Sequence, residues 1–498
     1  MDPTGDLRLL LASRHPLIVA GIDDEERFLA VLRAAAALAA VPVWTWSLTR
    51  GLARDGFDPQ VGTADPRGAL AFVGALPDPA AFVFLDLHAA LADPATVRRL
   101  KEVALAAKPG QTLVLTGPTT EAPAELGGLA LRWTLEPPSR EEVEELVRRT
   151  LDDLAARDVP VMLDAAGRAE LIETLRGLTL REVERLILQA ALRDGRLLDD
   201  DVTLVRDLKA ELLDADGILE LVGADAGGLD VVGGLEELKD WFRVRGRALE
   251  PGAREFGLDP PKGVLLTGVP GCGKSLVAKA LARTWKLPLV LLDPSRLFGP
   301  YLGESERRLE RALATVVAMA PLVLWVDEIE KGFAAGPDGG DGGAARRVLG
   351  SFLRWMQERP PGVFIVATCN DVGSLPPELM RRGRFDEVFF IDLPDAEERE
   401  AIFRVQLGRR GRDPGAFDLA SLARATEGFS GAEIEGVVVA ALYRAYANGA
   451  ELSIAGLLQE AAATMPLSRT RAEEVERLRA WSQGRAVPAS RPTPDVPA

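Results

Sequence analysis

The chain has 498 residues, of which 47% are hydrophobic and 27% charged, a balance that sets it among globular proteins with room for two to four domains. Its net charge of −16 argues against broad binding to nucleic acid or to an anionic membrane surface. Two cysteines and two histidines leave no disulfide framework and no zinc site.

No apolar run reaches membrane-spanning length. The acidic opening of the chain lacks the basic region of a signal peptide. The expected location is the cytoplasm, or the stroma if the chain is organellar. In order, residues 7–14 read as a short amphipathic helix and 16–21 as a buried strand. Residues 25–40 are alanine-rich with helical period, and 43–46, 81–86 and 112–116 are further strands. Strands alternating with helical segments predict a parallel α/β sheet. From residue 138 to about 221 the pattern is helical throughout, and 223–228 reads as a connector.

A second run of alternating elements begins at Asp230. The apolar strand 263–267 leads into Gly268-Val269-Pro270-Gly271-Cys272-Gly273-Lys274-Ser275, and 276–282 continue as a helix. Strand, glycine-rich turn and helix with the spacing G-x-x-x-x-G-K-[ST] make a phosphate-binding loop. Glycines let successive backbone N–H groups curl around phosphates, the helix start adds positive potential, Lys274 adds a charge, and Ser275 offers a hydroxyl to Mg²⁺. A nucleoside triphosphate is the implied ligand.

Residues 322–326 are apolar and end in Asp327 and Glu328, as a strand buried in a parallel sheet does at its ligand-holding end. Asp327 is placed to hold Mg²⁺ through water, and Glu328 to polarise the attacking water. Strand 363–368 ends at Cys369-Asn370; the Asn370 amide either orients that water beside Glu328 or is a plain turn residue. Arg381-Arg382-Gly383-Arg384 stand before the last sheet strand. They either reach outward to a neighbour's phosphates or form a solvated face.

The two halves run in parallel. Ile18–Gly21 matches Leu265–Gly268, Phe84-Leu85-Asp86 matches Trp325-Val326-Asp327, residues 131–137 match 388–394, and 180–184 match 431–435. A tandem duplication with a decayed first copy explains this; two unrelated α/β domains sharing generic periodicity are the alternative. In the first copy the turn is Gly21-Ile22-Asp23-Asp24-Glu25-Glu26, whose carboxylates repel ATP.

Together these residues resemble the AAA+ ATPases, and within them the AAA clade, over residues 229–465. The motifs are residues 230–234, Gly268 to Ser275, Asp327-Glu328, Asn370, residues 381–386 and Gly428-Phe429-Ser430-Gly431-Ala432-Glu433. The resemblance implies that Asn370 is sensor 1 and that Arg381 and Arg384 are arginine fingers acting on an adjacent subunit's ATP. Val232, Gly233, Leu276, Gly431 and Ala432 would complete the nucleotide pocket; Ala432 agrees with the clade's lack of a sensor 2 arginine. Over the whole chain the likeness is to the hypothetical chloroplast frame 46 family of plastids and bacteria, associated in phototrophs with regulating photosynthesis and inorganic-carbon use. Two departures are Cys272 at a variable loop position and Glu330 where many AAA proteins carry Asp; neither is expected to touch a residue given a catalytic role.

The expected organisation is a degenerate AAA+-like α/β domain without a phosphate loop (1–137), a helical lid-like region and connector (138–228), the AAA+ large ATPase domain (229–394), its small helical lid (395–484) and a disordered tail (485–498). Tyr301-Leu302-Gly303 falls where AAA unfoldases carry a pore loop, so Tyr301 either grips a threaded polypeptide or caps the core. Residues 336–343 are a second pore loop or plain linker. The expected activity is ATP hydrolysis with Mg²⁺ in a hexameric ring that remodels a protein client. The alternative is a nucleotide-controlled switch or scaffold whose first module binds a partner or metabolite; a DNA-acting motor is disfavoured by the charge. Cys272, at a helix start beside Lys274, is expected to have a lowered pKa and a redox-sensitive thiol, unless it merely fills the loop.

Overall fold

The computed structural model describes residues 3–13, 15–22, 24–117, 122–215, 217–223, 227–250, 252–253, 255–297, 304–333, 342–381 and 383–491. The chain forms two compact units, Met1–Asp199 and Asp200–Ala498.

The first unit opens with α1 (Pro3–Ala12), β1 (Leu17–Gly21), α2 (Glu25–Leu38), β2 (Val43–Ser47), β3 (Gly51–Arg54), α3 (Pro66–Ala75), β4 (Ala80–Phe84), α4 (Pro94–Leu105), β5 (Gln111–Gly117) and β6 (Ala130–Thr134). Its strands lie in the order β3-β2-β4-β5-β1-β6, all parallel except β3. Both sheet faces are covered by buried apolar side chains, Leu17, Phe82 and Leu113 on one and Ile18, Val83 and Val114 on the other; this is why β1, β4 and β5 read as unbroken apolar runs rather than alternating ones. The unit closes with α5 (Arg140–Ala156), β7 (Val161–Met162), α6 (Ala165–Leu175), α7 (Leu180–Asp194) and β8 (Leu197–Leu198). Ser139 with Glu142 and Thr179 with Glu182 form capping boxes that start α5 and α7.

The second unit contains α8 (Asp201–Ala215), β9 (Leu219–Val222), α9 (Glu236–Gly246), β10 (Gly263–Gly268), α10 (Lys274–Trp285), β11 (Leu289–Leu292), α11 (Glu304–Met319), β12 (Leu322–Val326), α12 (Ile329–Phe333), α13 (Gly342–Glu358), β13 (Val363–Cys369) and β14 (Glu387–Ile391). Then come α14 (Ala396–Arg409), α15 (Leu419–Ala425), α16 (Gly431–Ala447), α17 (Ile454–Ala463), α18 (Leu467–Thr470), α19 (Ala472–Ser482) and β15 (Val487–Pro488). The sheet runs β15-β14-β10-β13-β12-β11-β9, with β9 antiparallel at one edge. Helices α14 to α17 share a separate core around Phe403, Leu407, Ile434 and Leu457.

Counted along its own chain, the first unit's parallel strands read fifth, first, fourth, third, second with an antiparallel strand outside the second; the second unit repeats this order and adds β15, a sixth parallel strand, beside its fifth. The first unit thus repeats the strand order of the second without β15. Ladder registers shift the expected correspondence by one residue. Phe84 pairs with Leu115 as Val326 pairs with Ala367, which aligns Asp86 with Glu328; both are left-handed, at φ 52° and 46°.

Three segments differ from the sequence reading. Residues 219–222 are a strand rather than the end of a helical run, because the alternation of Leu219 and Leu221 suits the edge of β11; α8 and β9 therefore pack with the second unit. Helix α19 leaves the lid, since Leu478 enters the core that also holds Phe390. Residues 487–491, expected to be disordered, are ordered: β15 pairs with Phe389 and Phe390, and Ala489 is buried. The segment is too short to show a period in sequence. Tyr301, Leu302 and Gly303, and the segment 334–341, lie outside the described residues. No helix among the described residues is long and apolar enough to cross a membrane.

Candidate functional site

β10 ends at Gly268 with φ 133°, where a Cβ would lie 2.0 Å from the Ile391 carbonyl oxygen; only glycine fits. Val269 N–H then donates to Ile391 O at 2.9 Å, which turns the chain out of the sheet. Gly271 and Gly273 are also left-handed, at φ 80° and 91°, and Gly273 precedes the first residue of α10. Side chains are thus kept away from the N–H groups that face the cavity.

The cavity measures about 390 Å³. It is lined by the loop from Pro270 to Leu276, by Val232 and Gly233, and by Asp327, Glu328, Thr368 and Asn370. Ile402, Gln406, Gly431 and Ala432 close it from the lid helices. The lid touches the loop directly, with Ala432 N–H donating to Gly271 O at 2.9 Å. Gly268 and Val269 do not line the cavity; their carbonyls accept from Lys274 Nζ at 2.8 and 2.9 Å. Burial lowers the Lys274 pKa to about 8, against the opposing pull of Cys272, Cys369, Glu330 and Asp327.

Ser275 Oγ donates to Asp327 Oδ1 at 3.3 Å. The same oxygen accepts from Thr368 Oγ1 at 2.6 Å and Trp325 Nε1 at 3.2 Å, so the carboxylate is fixed in rotation. A hydroxyl facing an oriented carboxylate at the mouth of a phosphate loop is the hard-oxygen donor set that Mg²⁺ takes, and the glycine cradle leaves room for phosphates. The residues present fit both groups.

Glu328 follows in the left-handed conformation, which aims its side chain back over the strand ends. Its N–H donates to Thr368 Oγ1 at 2.9 Å, its Oε1 accepts from Asn370 Nδ2 at 2.9 Å, and its Oε2 pairs with Lys331 Nζ. Asn370 is thus in contact with Glu328. Glu330, set aside in the sequence as touching no assigned residue, accepts from Asn370 N–H through Oε1 at 2.9 Å.

Arg381 is exposed, whereas Arg384 is buried, with Nε and Nη1 lacking hydrogen-bond partners among the described residues. The outward reach read from the sequence therefore describes Arg381 and not Arg384 as it stands. Cys272 also differs from expectation: burial outweighs the Lys274 charge and raises its pKa to about 12, so the thiol is not the reactive thiolate a helix start suggested.

Sequence reasoning missed Thr368, whose signal was a hydroxyl on the strand two residues before the asparagine tip, and Gln406. The latter is a buried polar residue between Phe403 and Leu407 on the apolar face of α14. Its Oε1 accepts from Arg410, which in turn pairs with Glu435 at 2.8 Å. The corresponding corner of the first unit is of opposite character. Asp24 accepts from Arg27 N–H and caps α2 with a carboxylate, and burial, with Asp86 and Glu26, raises the Glu25 pKa.

Comparison with known proteins gives four family matches. Residues 264–393 match the ATPase family associated with various cellular activities (AAA), and 416–456 the AAA+ lid domain. Residues 4–134 match the N-terminal domain of SpoVK-like AAA ATPases, and 141–216 their second domain. The chain is 33% identical over 482 residues to the uncharacterized AAA domain-containing protein ycf46 of Guillardia theta, covering 96% of this chain and 94% of that protein. It is 32% identical to ycf46 of Pyropia yezoensis, covering 98% and 100%. The proteasome-activating nucleotidase of Sulfurisphaera tokodaii is 38% identical over 200 residues, 39% of this chain and 51% of that protein.

Proposed function

We propose, from the premise that this chain belongs to the ycf46 family of AAA domain-containing ATPases, that its second unit hydrolyses ATP with Mg²⁺ and works as a homo-oligomer, a hexameric ring, on a protein client. The observation that carries this reading is a single wall of the cavity on which Ser275 meets Asp327 and Asn370 meets Glu328, beside the glycine loop.

Ser275 and Asp327 would hold Mg²⁺, which supplies charge neutralisation to the transferring phosphoryl group. The loop N–H groups bind the phosphates, and Lys274 joins them by leaving the Gly268 and Val269 carbonyls. Val232 and Gly233 with Leu276, Gly431 and Ala432 enclose the rest of the nucleotide. Glu328 accepts a proton of the attacking water, and Asn370 holds that carboxylate in place. Arg381 is assigned to a neighbouring subunit's phosphates; Arg384 reaches them only if its turn rearranges. The kinship with a proteasome-activating nucleotidase supports a protein client, with Tyr301-Leu302-Gly303 as the gripping loop on sequence grounds alone. The place of action is taken as the cytoplasm, or the stroma where the chain is plastid-borne.

A second reading, a nucleotide-controlled switch or scaffold, is favoured by the first unit, whose α2 start is closed by Asp24. Sedimentation of Glu328→Gln with and without Mg·ATP separates the two. The ring reading expects a shift from about one to about six subunits. A variant that binds ATP and stays monomeric refutes the ring and leaves the switch. A parent protein that releases no phosphate from ATP refutes hydrolysis.

A further inference from the structure

The ladder between β12 and β13 ends at Val326 and Ala367, yet the two strand tips stay fastened beyond it. Thr368 Oγ1 donates to Asp327 and accepts from Glu328 N–H. One step further, Glu330 Oε1 accepts from Asn370 N–H at 2.9 Å and from Asp371 N–H at 3.4 Å. Asn370 then returns through its side chain to Glu328 Oε1. The result is a closed ring of contacts: Glu328 to Ile329 to Glu330 along the chain, Glu330 to the Asn370 main chain, and the Asn370 amide back to Glu328.

Packing does not account for Glu330. Its residue is only 6% exposed, and Oε2 is buried without a hydrogen-bond partner among the described residues. A buried carboxylate with one oxygen unpaired is destabilising in itself, and an apolar side chain on α12 would serve the core better. The neighbouring Cys369 thiol is raised well above its ordinary value, by burial first, then by the Glu330 charge and by a hydrogen bond to the Glu330 carboxylate, so the thiol stays protonated and Glu330 is the acceptor in this corner. Ile329, fully buried, anchors the short helix from which Glu330 projects.

We propose that Glu330 is a positioning residue for ATP hydrolysis: by holding the main chain of Asn370 it sets the Asn370 amide against Glu328. Being buried, it touches no substrate and acts only through Asn370. The inference rests on the reading of the site as an ATPase.

The test is a set of variants, Glu330→Ala, Glu330→Gln and Glu330→Asp, in the full chain, with steady-state ATP hydrolysis, ATP affinity and hydrogen exchange of the amides at 370 and 371. Glu330→Ala should lower kcat about tenfold, leave KM and ATP affinity within about twofold, and speed exchange at both amides. Glu330→Gln keeps an acceptor at the same reach and should recover most of kcat; Glu330→Asp, one methylene short, should not. In an Asn370→Ala background, Glu330→Ala should cost nothing further in kcat.

An equal loss of kcat in both backgrounds, or unchanged exchange at 370 and 371, overturns the proposal. If Glu330→Ala does not fold, the Gln and Asp variants decide, and wild-type behaviour of Asp with failure of Gln overturns it. A parent without ATPase activity refutes the site reading instead, while amide exchange still reports whether Glu330 holds Asn370.

Discussion

Lys274 carries two opposed pH dependences. Its folded pKa, about 8, lies below the ordinary value of 10.5 because the ammonium is buried. Between those two values the unfolded chain binds a proton that the folded chain does not, so this residue makes stability rise with pH across the window, by at most about 1.4 kcal/mol per pH unit. Phosphate binding requires the charged form, so ATP affinity should fall as pH rises through 8. Melting temperature and ATP affinity measured at pH 7.5 and pH 9.5 should move in opposite directions in the parent, and neither trend should persist in Lys274→Met beyond the background of other groups. Parallel movement refutes the assignment. Lys274 and its loop were legible in sequence because the spacing is dictated by the shape of a phosphate. The job of Glu330 was not, because its carboxylate serves a main-chain N–H that lies 40 residues away, and no side-chain pattern marks a main-chain partner. Cys272 was misread for a related reason: sequence shows the charged neighbour but not the burial that outweighs it.

At the scale of elements, the parallel strands of both units could be read from apolar runs, whereas β9 and β15 could not, being short edge strands whose pairing is set by what lies beside them. The last of these has consequences. Ala489 N–H donates to Phe390 O at 2.9 Å, and Leu238 N–H to Ala489 O at 3.1 Å. Ser490 Oγ donates to Glu398 Oε1 at 2.6 Å, the same oxygen that takes Leu235 N–H. β15 therefore ties β14, the start of α9 and the first lid helix α14 together. This occurs next to Gly233, where a Cβ would come within 2.7 Å of Ile402. The exposed Arg491 pair with Asp240 adds little. A chain ending at Arg485 loses the β14–β15 ladder, the three hydrogen bonds of Ala489 and Ser490, the exposed Arg491 pair and a buried alanine, about 3 kcal/mol or more, and should melt on the order of 5 °C lower. An unchanged melting temperature would mean that the strand is not held in solution.

At the scale of the whole molecule, the shared strand order shows one architecture used twice, with the phosphate turn open in one copy and closed by Asp24 in the other. With one proposed nucleotide site among the described residues, the arginines before β14 have no phosphate of their own to serve, since neither Arg381 nor Arg384 lines the cavity. If Arg381 acts on the next subunit, two differently damaged chains can repair each other. Glu328→Gln retains the arginine and loses its own water-activating carboxylate. Arg381→Ala retains the carboxylate and lacks the arginine its neighbour needs. Each alone should be nearly inactive. Mixed in equal amounts under assembly conditions, about one interface in four joins an intact site to an intact arginine, so phosphate release should recover to about a quarter of the parent rate. Recovery that depends on co-assembly places Arg381 across the interface. An Arg381→Ala protein as active as the parent removes it from the mechanism. Loss of activity that no partner restores places its action within its own subunit, which would leave the ring without a catalytic reason to exist.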